Sequence, residues 1–436
     1  MQRVRGVGRG TRHSIVILAC LAATGLLASC GASNAATHSS SGGAVTYVSV
    51  QPFSGSSAFI GTIATAGLYP AVAEINAAGG ILGRKVKLSL VDTKGDPADA
   101  LTAVAAFTAT TSNILGVQGP STTEAPTIVP VLNKHKITMM SVAGNALFDH
   151  NPYQYYWRTA PPDPANGIAM ALYAKSRGWT RAALVFGADS SSQGDLPGVL
   201  AGAKALGLQI VATANLTPQQ PSYSGEVARV ISARPQVIFT ESDPTTASTF
   251  FSELVQQQSE PIYVVATSAA ASGTYLTPVE RAVGASRLAQ FWRTVSFQSA
   301  PPNKATALFS HWLLKSGKQV SNPKQWLGNF YAGDNYDGLI LVALAAVASG
   351  HASGPALNHY IMDVANPGLG KFPVYSYAAG VKLLKEHKRI EYIGAGGPFR
   401  FDRYHNSYGN QLVQQYLDGR YVTTQTITEA QISAVK

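Results

Sequence analysis

The fold of this chain is decided by the stretch VAEINAAGGILGRKVKLSLVDTKGDP, which occupies residues 72–97. An apolar-faced helix ends inside it, because the pair Gly79 and Gly80 supplies the positive φ that other residues resist. Residues 85–92 then alternate between apolar and polar side chains, which predicts a half-buried strand. Asp96 stands before a proline and predicts the N-cap of a second helix. Helix, strand and helix at this spacing are typical of an α/β protein.

The same alternation of strands and helices continues along the chain. Strands are predicted at residues 45–50, 114–118, 137–141, 182–186, 208–214, 237–240 and 262–266. These units are too many for one compact sheet, so we expect two lobes. Tyr336-Asp337-Gly338 predicts the start of an apolar helix over residues 339–348, and residues 411–428 predict a hairpin turned at Asp418 and Gly419.

The pattern N-A-A-G-G-I-x-G-R-K at residues 76–85, followed by D-x-x-x-D-P at residues 92–97, resembles the type I periplasmic-binding proteins, in particular the branched-chain amino-acid (Leu/Ile/Val) branch. With gaps, the resemblance extends over residues 45–428. It implies an α/β fold of two Rossmann-like lobes with parallel, doubly wound sheets, joined by three hinge crossings. Proteins of this family are the solute-binding components of ABC importers, so the resemblance also implies an ABC transporter permease as partner.

The resemblance also predicts where the lobes begin and end. Residues 155–162 resemble the family's first crossing, a second crossing is expected near residues 291–299, and residues 397–402 resemble the third. Lobe one is therefore expected to comprise residues 45–158 and 297–397. Lobe two is expected to comprise residues 159–296 and 398–436.

The first 29 residues are predicted to be a signal peptide and not part of the fold. They combine four arginines with an apolar run that is short for a membrane span, and they end in Leu27-Ala28-Ser29 before Cys30. This pattern predicts a bacterial lipobox, in which Cys30 is acylated and anchors the protein to the membrane. An ordinary secretory signal and an uncleaved anchor helix are the alternatives. Residues 30–44, rich in Gly and Ser, are predicted to be a flexible tether.

Cysteine content and charge limit the kinds of site and partner that the chain can have. Cys20 lies in the predicted leader, so Cys30 is the only cysteine of the mature chain, and the sequence predicts neither an intramolecular disulfide nor a cysteine metal site. The formal charge of +10 falls to +6 without the four leader arginines. Basic residues do not cluster with aromatic ones, so nucleic-acid binding is not expected. The nine histidines lack ligand spacing, so neither a metal nor a cofactor is expected.

Ligands of open parallel sheets bind beyond the carboxyl ends of the strands, where loops enter helices. Several predicted loops there are rich in Gly, Ser, Thr, Asn and Asp, which present backbone N–H groups and hydroxyls to a small polar ligand. The candidate ligand-binding residues are Ser54, Phe59, Ser121, Thr122, Thr123, Ala143, Gly144, Asn145, Gln193, Asp243 and Ser268. Each of the polar ones is also a plausible helix cap, so their shared place at strand ends is what favours a site.

The resemblance assigns roles to some of these residues. Thr122 and Thr123 match the serines that hold the substrate α-carboxylate, and residues 143–145 match the loop beside them. Phe59, or the neighbouring Ile60, matches the aromatic residue next to the ligand. The acidic residue that binds the ammonium group is missing from the loop at residues 267–268, and Gln193 stands where the family has an aromatic side chain. We hypothesise that Asp243 replaces the missing charge, while amide, carboxylate and polyol ligands stay open.

Catalytic motifs are scarce in the sequence. It contains no H-E-x-x-H, G-x-S-x-G or Walker A pattern. A hydrolase would need a pair of carboxylates in the cleft, and Glu124 with Asp243 is the candidate pair for that role. The sequence therefore predicts a lipid-anchored extracytoplasmic solute-binding protein and no enzyme. A sensory lipoprotein of the same fold and an extracytoplasmic hydrolase of a small amide or sugar are the alternatives.

Overall fold

The computed structural model describes residues 43–258, 260–298 and 302–435. The predicted signal peptide (residues 1–29), Cys30 and the tether as far as residue 42 lie outside the described residues. The rest alternates between strands and helices, and its strands form two large sheets. The predicted α/β class with two lobes is confirmed.

The bounds of the elements follow the predicted order closely. In the described residues the strands are β1 (Val45–Gln51), β2 (Val86–Asp92), β3 (Ile114–Gln118), β4 (Met139–Ser141), β5 (Tyr156–Arg158), β6 (Arg181–Gly187), β7 (Gln209–Leu216), β8 (Val237–Glu241), β9 (Tyr263–Ala266), β10 (Trp292–Phe297), β11 (Phe372–Val374), β12 (Ile390–Tyr392), β13 (Gln411–Leu417) and β14 (Arg420–Ile427). The helices are α1 (Ala58–Ala77), α2 (Pro97–Thr110), α3 (Ala125–Lys134), α4 (Asp163–Ser176), α5 (Leu196–Leu206), α6 (Ser224–Ser232), α7 (Pro244–Gln257), α8 (Gly273–Val283), α9 (Ala285–Phe291), α10 (Lys304–Lys315), α11 (Phe330–Ser349), α12 (Gly354–Asn358), α13 (Ile361–Ala365), α14 (Tyr377–Lys385) and α15 (Glu429–Ser433).

The sheet of lobe one has the strand order β2-β1-β3-β4-β5, and all its strands run parallel. Helices α1, α10, α11 and α14 bury their apolar faces in one core on one side of it. Helices α2 and α3 bury theirs in a second core with Val48, Val50 and Val117. Because both faces are covered, the inner strands β1, β3 and β4 are almost entirely buried, as is typical of a parallel sheet, whereas the edge strand β2 keeps side chains such as Leu90 exposed.

The sheet of lobe two has the strand order β14-β13-β10-β9-β8-β6-β7. The strands from β10 to β7 are parallel, and helices α4 and α5 cover one face while α6, α7, α8 and α9 cover the other. The predicted hairpin is present as β13 and β14, turned at Asp418 and Gly419, and it joins the sheet antiparallel to β10. The parallel sheet of lobe two therefore has an antiparallel edge.

One prediction needs correction. The apolar helix predicted at residues 339–348 begins earlier, at Phe330, so Tyr336-Asp337-Gly338 lies inside α11 and does not start it. Asn329 caps this helix instead, since its side chain accepts a hydrogen bond from the backbone N–H of Ala332. In the region expected to contain the second crossing, strand β10 ends at Phe297, and the chain leaves the sheet of lobe two there.

The connections between the lobes follow the strand ends. The chain leaves the first sheet after Arg158, leaves the second after Phe297, and enters β13 at Gln411. The exact lobe limits given above stay a prediction.

By length and composition, α1 is long and apolar enough to cross a membrane. Helix α11 together with α12 and α13 forms a bent pair that also passes this test. More than half of the apolar window of α1 is buried inside the protein.

Candidate functional site

A cavity of about 690 Å³, part of which is open to solvent, lies between the carboxyl ends of the two large sheets. Elements of both lobes form its walls, with α1 and α11 on the side of lobe one and the loops after β6, β8 and β9 on the side of lobe two. The residues that line it are Gln51, Phe59, Ile60, Ile63, Ala64, Ser121, Thr122, Val142, Ala143, Asp163, Ser191, Asp195, Glu241, Ser268, Ala269, Tyr331 and Asn335. We call this space the interlobe cavity.

Five of the candidate residues from the sequence meet at this cavity: Phe59, Ser121, Thr122, Ala143 and Ser268. Phe59 lies in the first turn of α1, and Ser121 and Thr122 lie between β3 and α3. Ser268 follows β9, and its hydroxyl is hydrogen-bonded to a tyrosine of α11. Their contact with a ligand stays a prediction, but the structure brings them to one place.

Three other candidates use their side chains in hydrogen bonds within the protein and do not line the interlobe cavity. The hydroxyl of Ser54 donates to Asp92 Oδ2 over 2.6 Å, and the side chain of Gln193 donates to the carbonyl of Gly187 over 2.5 Å. Asn145 accepts from the backbone N–H of Leu147 over 2.9 Å. The neighbouring Thr123 and Gly144 do not line the cavity either.

Asp243 occupies the N-cap of α7. Its Oδ1 accepts hydrogen bonds from the backbone N–H groups of Thr245 and Thr246, at 3.0 and 3.2 Å, and its Oδ2 accepts from the hydroxyl of Thr246 over 2.5 Å. Asp243 lines a smaller cavity next to the first, which it shares with Ser56, Ser57 and Asp189 among others. Its carboxylate is therefore engaged in capping, as the alternative interpretation of such residues anticipates.

Three acidic side chains of lobe two face the interlobe cavity, and sequence reasoning did not select them as ligand-binding candidates. They are Asp163 in the first turn of α4, Asp195 just before α5, and Glu241 at the end of β8. We call them the acidic triad. Asp195 is buried, at 3% exposure, whereas Asp163 and Glu241 stay partly open to the cavity.

Close packing of α4 against α5 brings two members of the acidic triad together. A Cβ atom on Gly167 would lie 2.1 Å from the carbonyl oxygen of Asp195, and one on Gly198 would lie 2.0 Å from that of Pro164. The two glycines thus allow the backbones at the starts of both helices to touch. Helix α4 begins at Asp163 itself, and Pro162 holds its N-cap position.

Protonation of the acidic triad is governed by burial. Burial raises the pKa of Asp163, Asp195 and Glu241 above the ordinary values, and their mutual repulsion raises the pKa of Asp163 and Asp195 further. The interaction between the side chains of Asp195 and Glu241 raises the pKa of Asp195 and lowers that of Glu241. Helix N-termini favour carboxylates by only about 0.3–1 kcal/mol each, so burial dominates. Within the described residues, no group of three or more His, Cys, Asp or Glu is arranged to hold a metal ion.

Several buried polar atoms at the cavity have no partner among the described residues. They are both amide atoms of Gln51, Oδ1 of Asn335 and Oδ1 of Asp195. Gln51 and Asn335 are each 1% exposed. A buried polar group without a partner costs about 1–3 kcal/mol, so these atoms would gain from a partner supplied by a molecule in the cavity.

The sequence held a signal for the triad two positions before a selected candidate. Glu241 opens the loop in which Asp243 was selected, and the rule that strand ends carry ligand contacts points to both residues. Asp163 lies just after the predicted first crossing. Asp195, by contrast, becomes recognisable only when α4 and α5 are packed together.

Comparisons with known proteins identify the family from the sequence and the fold from solved structures. A family model described as "Periplasmic binding protein" matches residues 48–427. The structure is similar to a leucine-binding protein, LivK, of Thermotoga maritima, with 17% identity and a TM-score of 0.71 over 88% of this chain and 99% of that one. It is also similar to LivJ of Streptococcus pneumoniae in complex with isoleucine, with 18% identity and a TM-score of 0.69 over 88% of this chain and 99% of that one.

A third similar structure is a solute-binding protein of an ABC transporter from R. palustris in complex with benzoate, with 17% identity and a TM-score of 0.68 over 88% of this chain and 97% of that one. At these identities the likeness concerns the fold alone. No curated protein sequence shows significant similarity to this chain.

Proposed function

The chain belongs to the periplasmic binding protein family, and from this membership we propose that it is the extracytoplasmic solute-binding lipoprotein of an ABC importer. Its ligand is a small polar solute held between the lobes, for which the sequence predicts an amino acid or a related amide or carboxylate. The predicted family resemblance and the type I fold are confirmed by the match and by the similar structures. The family consists of solute-binding proteins and implies a location outside the cytoplasm.

The observation that carries the proposal is the interlobe cavity with its unpartnered polar atoms. Gln51 and Asn335 belong to elements of lobe one, and Asp195 belongs to lobe two. A solute that satisfies all of them must touch both lobes at once. Apolar side chains of α1, such as Phe59 and Ile63, line the same space and suit a solute with a short apolar part.

Closure of the lobes follows from this arrangement. Contacts with both walls exist only when the lobes are together, so the solute binds the closed form more tightly than the open form. Binding then shifts the population toward closure by the difference between the two affinities. In the proposal, the closed form is the one that an ABC permease recognises.

The lipid anchor is supported by the sequence at Cys30. Mass spectrometry of the mature N-terminus tests it: an acylated Cys30 is expected, and Cys30→Ala is expected to release the protein from the membrane fraction. An unmodified N-terminus cleaved elsewhere would show that the leader is an ordinary secretory signal.

The binding function is tested by incubating the purified protein with a metabolite mixture and identifying what it retains. A binder returns its solute chemically unchanged, and saturating solute at a hundredfold excess over its Kd raises the free energy of unfolding by about 2.7 kcal/mol. X-ray scattering should then show a smaller radius of gyration with solute than without it. Consumption of a solute would instead show an enzyme, and a radius that does not change would contradict the closure mechanism.

A further inference from the structure

The charges around the interlobe cavity are strongly one-sided. The acidic triad lies on the wall of lobe two, and among the described residues that line the cavity none is Lys, Arg or His. The nearest buried cation is Arg158, which lowers the pKa of Asp163 through its charge. Its guanidinium is already engaged with Asn406 Oδ1, the carbonyl of Asn145 and the carboxylate of Asp149, at 2.7, 2.9 and 2.7 Å. The protein itself therefore leaves the acidic triad without a cationic partner in the cavity.

The polar atoms at the cavity that have no hydrogen-bond partner are mainly acceptors. Their geometry is a second observation, separate from the charge of the acidic triad. Asn335 uses its Nδ2 to donate to the carbonyl of Tyr331 over 2.7 Å, which leaves Oδ1 free to accept. The Oδ1 atom of Asp195 is likewise free to accept, and the amide of Gln51 offers one acceptor and one donor group. A ligand that satisfies these atoms must bring several N–H or O–H donors.

The opposite wall is poorly suited to an anion. The hydroxyl of Ser121 donates to the carboxylate of Glu124, which is fully buried behind this loop and also accepts from Thr93 over 2.5 Å. A buried carboxylate at the start of α3 opposes the attraction of the helix N-terminus for a ligand carboxylate. Thr122 keeps a hydroxyl without an intramolecular partner among the described residues, so this wall offers a polar contact and no net positive charge.

We propose, building on the proposed function, that the interlobe cavity selects a net-cationic solute, a protonated amine or guanidine on a short apolar body, over zwitterionic amino acids and carboxylates. The cationic group enters the acidic triad and supplies donors to Asp195. The apolar body lies against Phe59, Ile60 and Ile63 of α1. The positive charge of the solute thus takes the place of protons that crowded, buried carboxyl groups otherwise retain.

Proton release accompanies this binding. The groups that face the triad are Asp189, Tyr156, Tyr275 and Tyr331, together with Arg158 and its partner Asp149. An alkyl amine, with a pKa of about 10.4, stays charged through neutral pH. The triad loses protons as the pH rises, so affinity for the amine increases between about pH 6 and pH 8, by up to about tenfold per pH unit for each displaced proton.

A set of isosteric probes tests the choice of ligand class. The probes are 3-methylbutylamine, leucine and 4-methylpentanoate, with agmatine as a guanidine, each added to the full mature protein in thermal-shift measurements. The amine and agmatine are expected to raise Tm more than leucine, and 4-methylpentanoate is expected to have no effect. Calorimetry in buffers of different ionisation enthalpy should show proton release with the amine.

Matched variants connect the effect to the triad. Asp195→Asn and Glu241→Gln keep the side-chain shapes, and each is expected to weaken binding of the cationic probe about tenfold or more. Asp418→Asn, at the exposed hairpin turn, removes the same charge far from the cavity and is expected to leave binding unchanged. Equal losses in all three variants would overturn the proposal.

The outcomes separate this inference from the proposed function. If leucine or 4-methylpentanoate binds best and closes the lobes, the solute-binding function stands and the preference for cations is refuted. If neither 3-methylbutylamine nor agmatine shifts Tm or binds in calorimetry, the preference is likewise refuted. If the amine binds but is chemically altered, the cationic site stands and the binding-only function falls.

Discussion

The hydroxyl of Ser268 and the hydroxyl of Tyr331 lie 2.7 Å apart and form a hydrogen bond across the interlobe cavity. Ser268 follows β9 of lobe two, while Tyr331 lies in the first turn of α11, whose apolar face is buried in the core of lobe one. A second bond, from Asn329 Nδ2 to the carbonyl of Ala271 over 2.9 Å, spans the same gap. Both bonds can exist only when the lobes are together, so the structure has a closed arrangement.

Tyr331→Phe removes the first of these bonds and is expected to shift the population toward the open form. A net loss of about 0.5–1.5 kcal/mol from the closed form lowers solute affinity by up to about tenfold. Calorimetry measures the affinity, and X-ray scattering of the solute-free protein should show a larger radius of gyration. Tyr377→Phe is the control, because its hydroxyl donates to Gly80 within lobe one and does not cross the cavity. Equal affinity losses in both variants would contradict the role of Tyr331 in closure.

Stability of the solute-free protein is expected to fall as the pH rises. Burial raises the pKa of Asp334 to about 8 and that of Asp337 to about 7, from 3.8, and it also raises the pKa of the acidic triad. The folded protein therefore retains protons that the unfolded chain has released. For each such proton, the free energy of unfolding falls by about 1.4 kcal/mol per pH unit as the pH rises from the pKa of the unfolded chain to that of the folded protein.

This dependence is checked by thermal unfolding between about pH 5.5 and pH 8.5, where Tm should be higher at the acidic end. Asp334→Asn, which removes a carboxyl with an unpartnered Oδ2 atom, should flatten the profile. A Tm that increases with pH over this range would be inconsistent with these raised pKa values.

Gly144→Ala and Gly194→Ala are expected to damage the site through Asp163. A Cβ at Gly144 would lie 1.8 Å from Asp163 Oδ1, and one at Gly194 would lie 2.3 Å from Oδ2. The carboxylate must move, and overpacking of this kind costs about 1–3 kcal/mol. Solute affinity and Tm should both fall. Gly225→Ala, on α6 with open space around it, is the control and should leave Tm unchanged or raise it. If Gly144→Ala changed neither affinity nor Tm, Asp163 would not be confined at this place.

Asp243 offers a way to separate capping from ligand binding. Asp243→Ala removes the N-cap of α7 and should lower the free energy of unfolding by about 1 kcal/mol, while Asp243→Ser retains a cap and should preserve stability. The hypothesis that Asp243 supplies negative charge to the solute predicts weaker binding in both variants. Calorimetry with the retained solute measures this, and unchanged affinity in both variants refutes the hypothesis.

Much of the fold could be predicted because its signals are local. Helix α1 ends at Ala77, just before Gly79 and Gly80, whose φ angles are positive at 98° and 78°, and Asp96 caps α2 through Ala98 and Asp99. Turn chemistry, capping and periodicity act within a few residues, and a sequence displays them directly. The start of α11 was placed too late because Asn329 caps it at a distance from the apolar run that reveals the helix.

The candidate site was predicted only in part. Strand ends can be recognised in a sequence, but whether a side chain there faces the cavity or forms a hydrogen bond within the protein cannot. Phe59, Ser121 and Thr122 line the interlobe cavity, whereas Asp243 uses its carboxylate for capping and Asn145 caps the turn that follows it. Capping and ligand binding favour the same residue types at the same place. The direction of a side chain depends on neighbours that lie far away in the chain.

By itself the sequence determined the α/β architecture and the order of its elements, because these depend on periodicity, glycine turns and caps that act over short distances. Only the tertiary structure decided which residues share the cavity. Asp163, Asp195 and Glu241 lie on separate elements, and they converge because α4 and α5 touch at Gly167 and Gly198 while β8 ends beside them. Their raised pKa values follow from that burial and mutual repulsion, which exist only once the chain has folded.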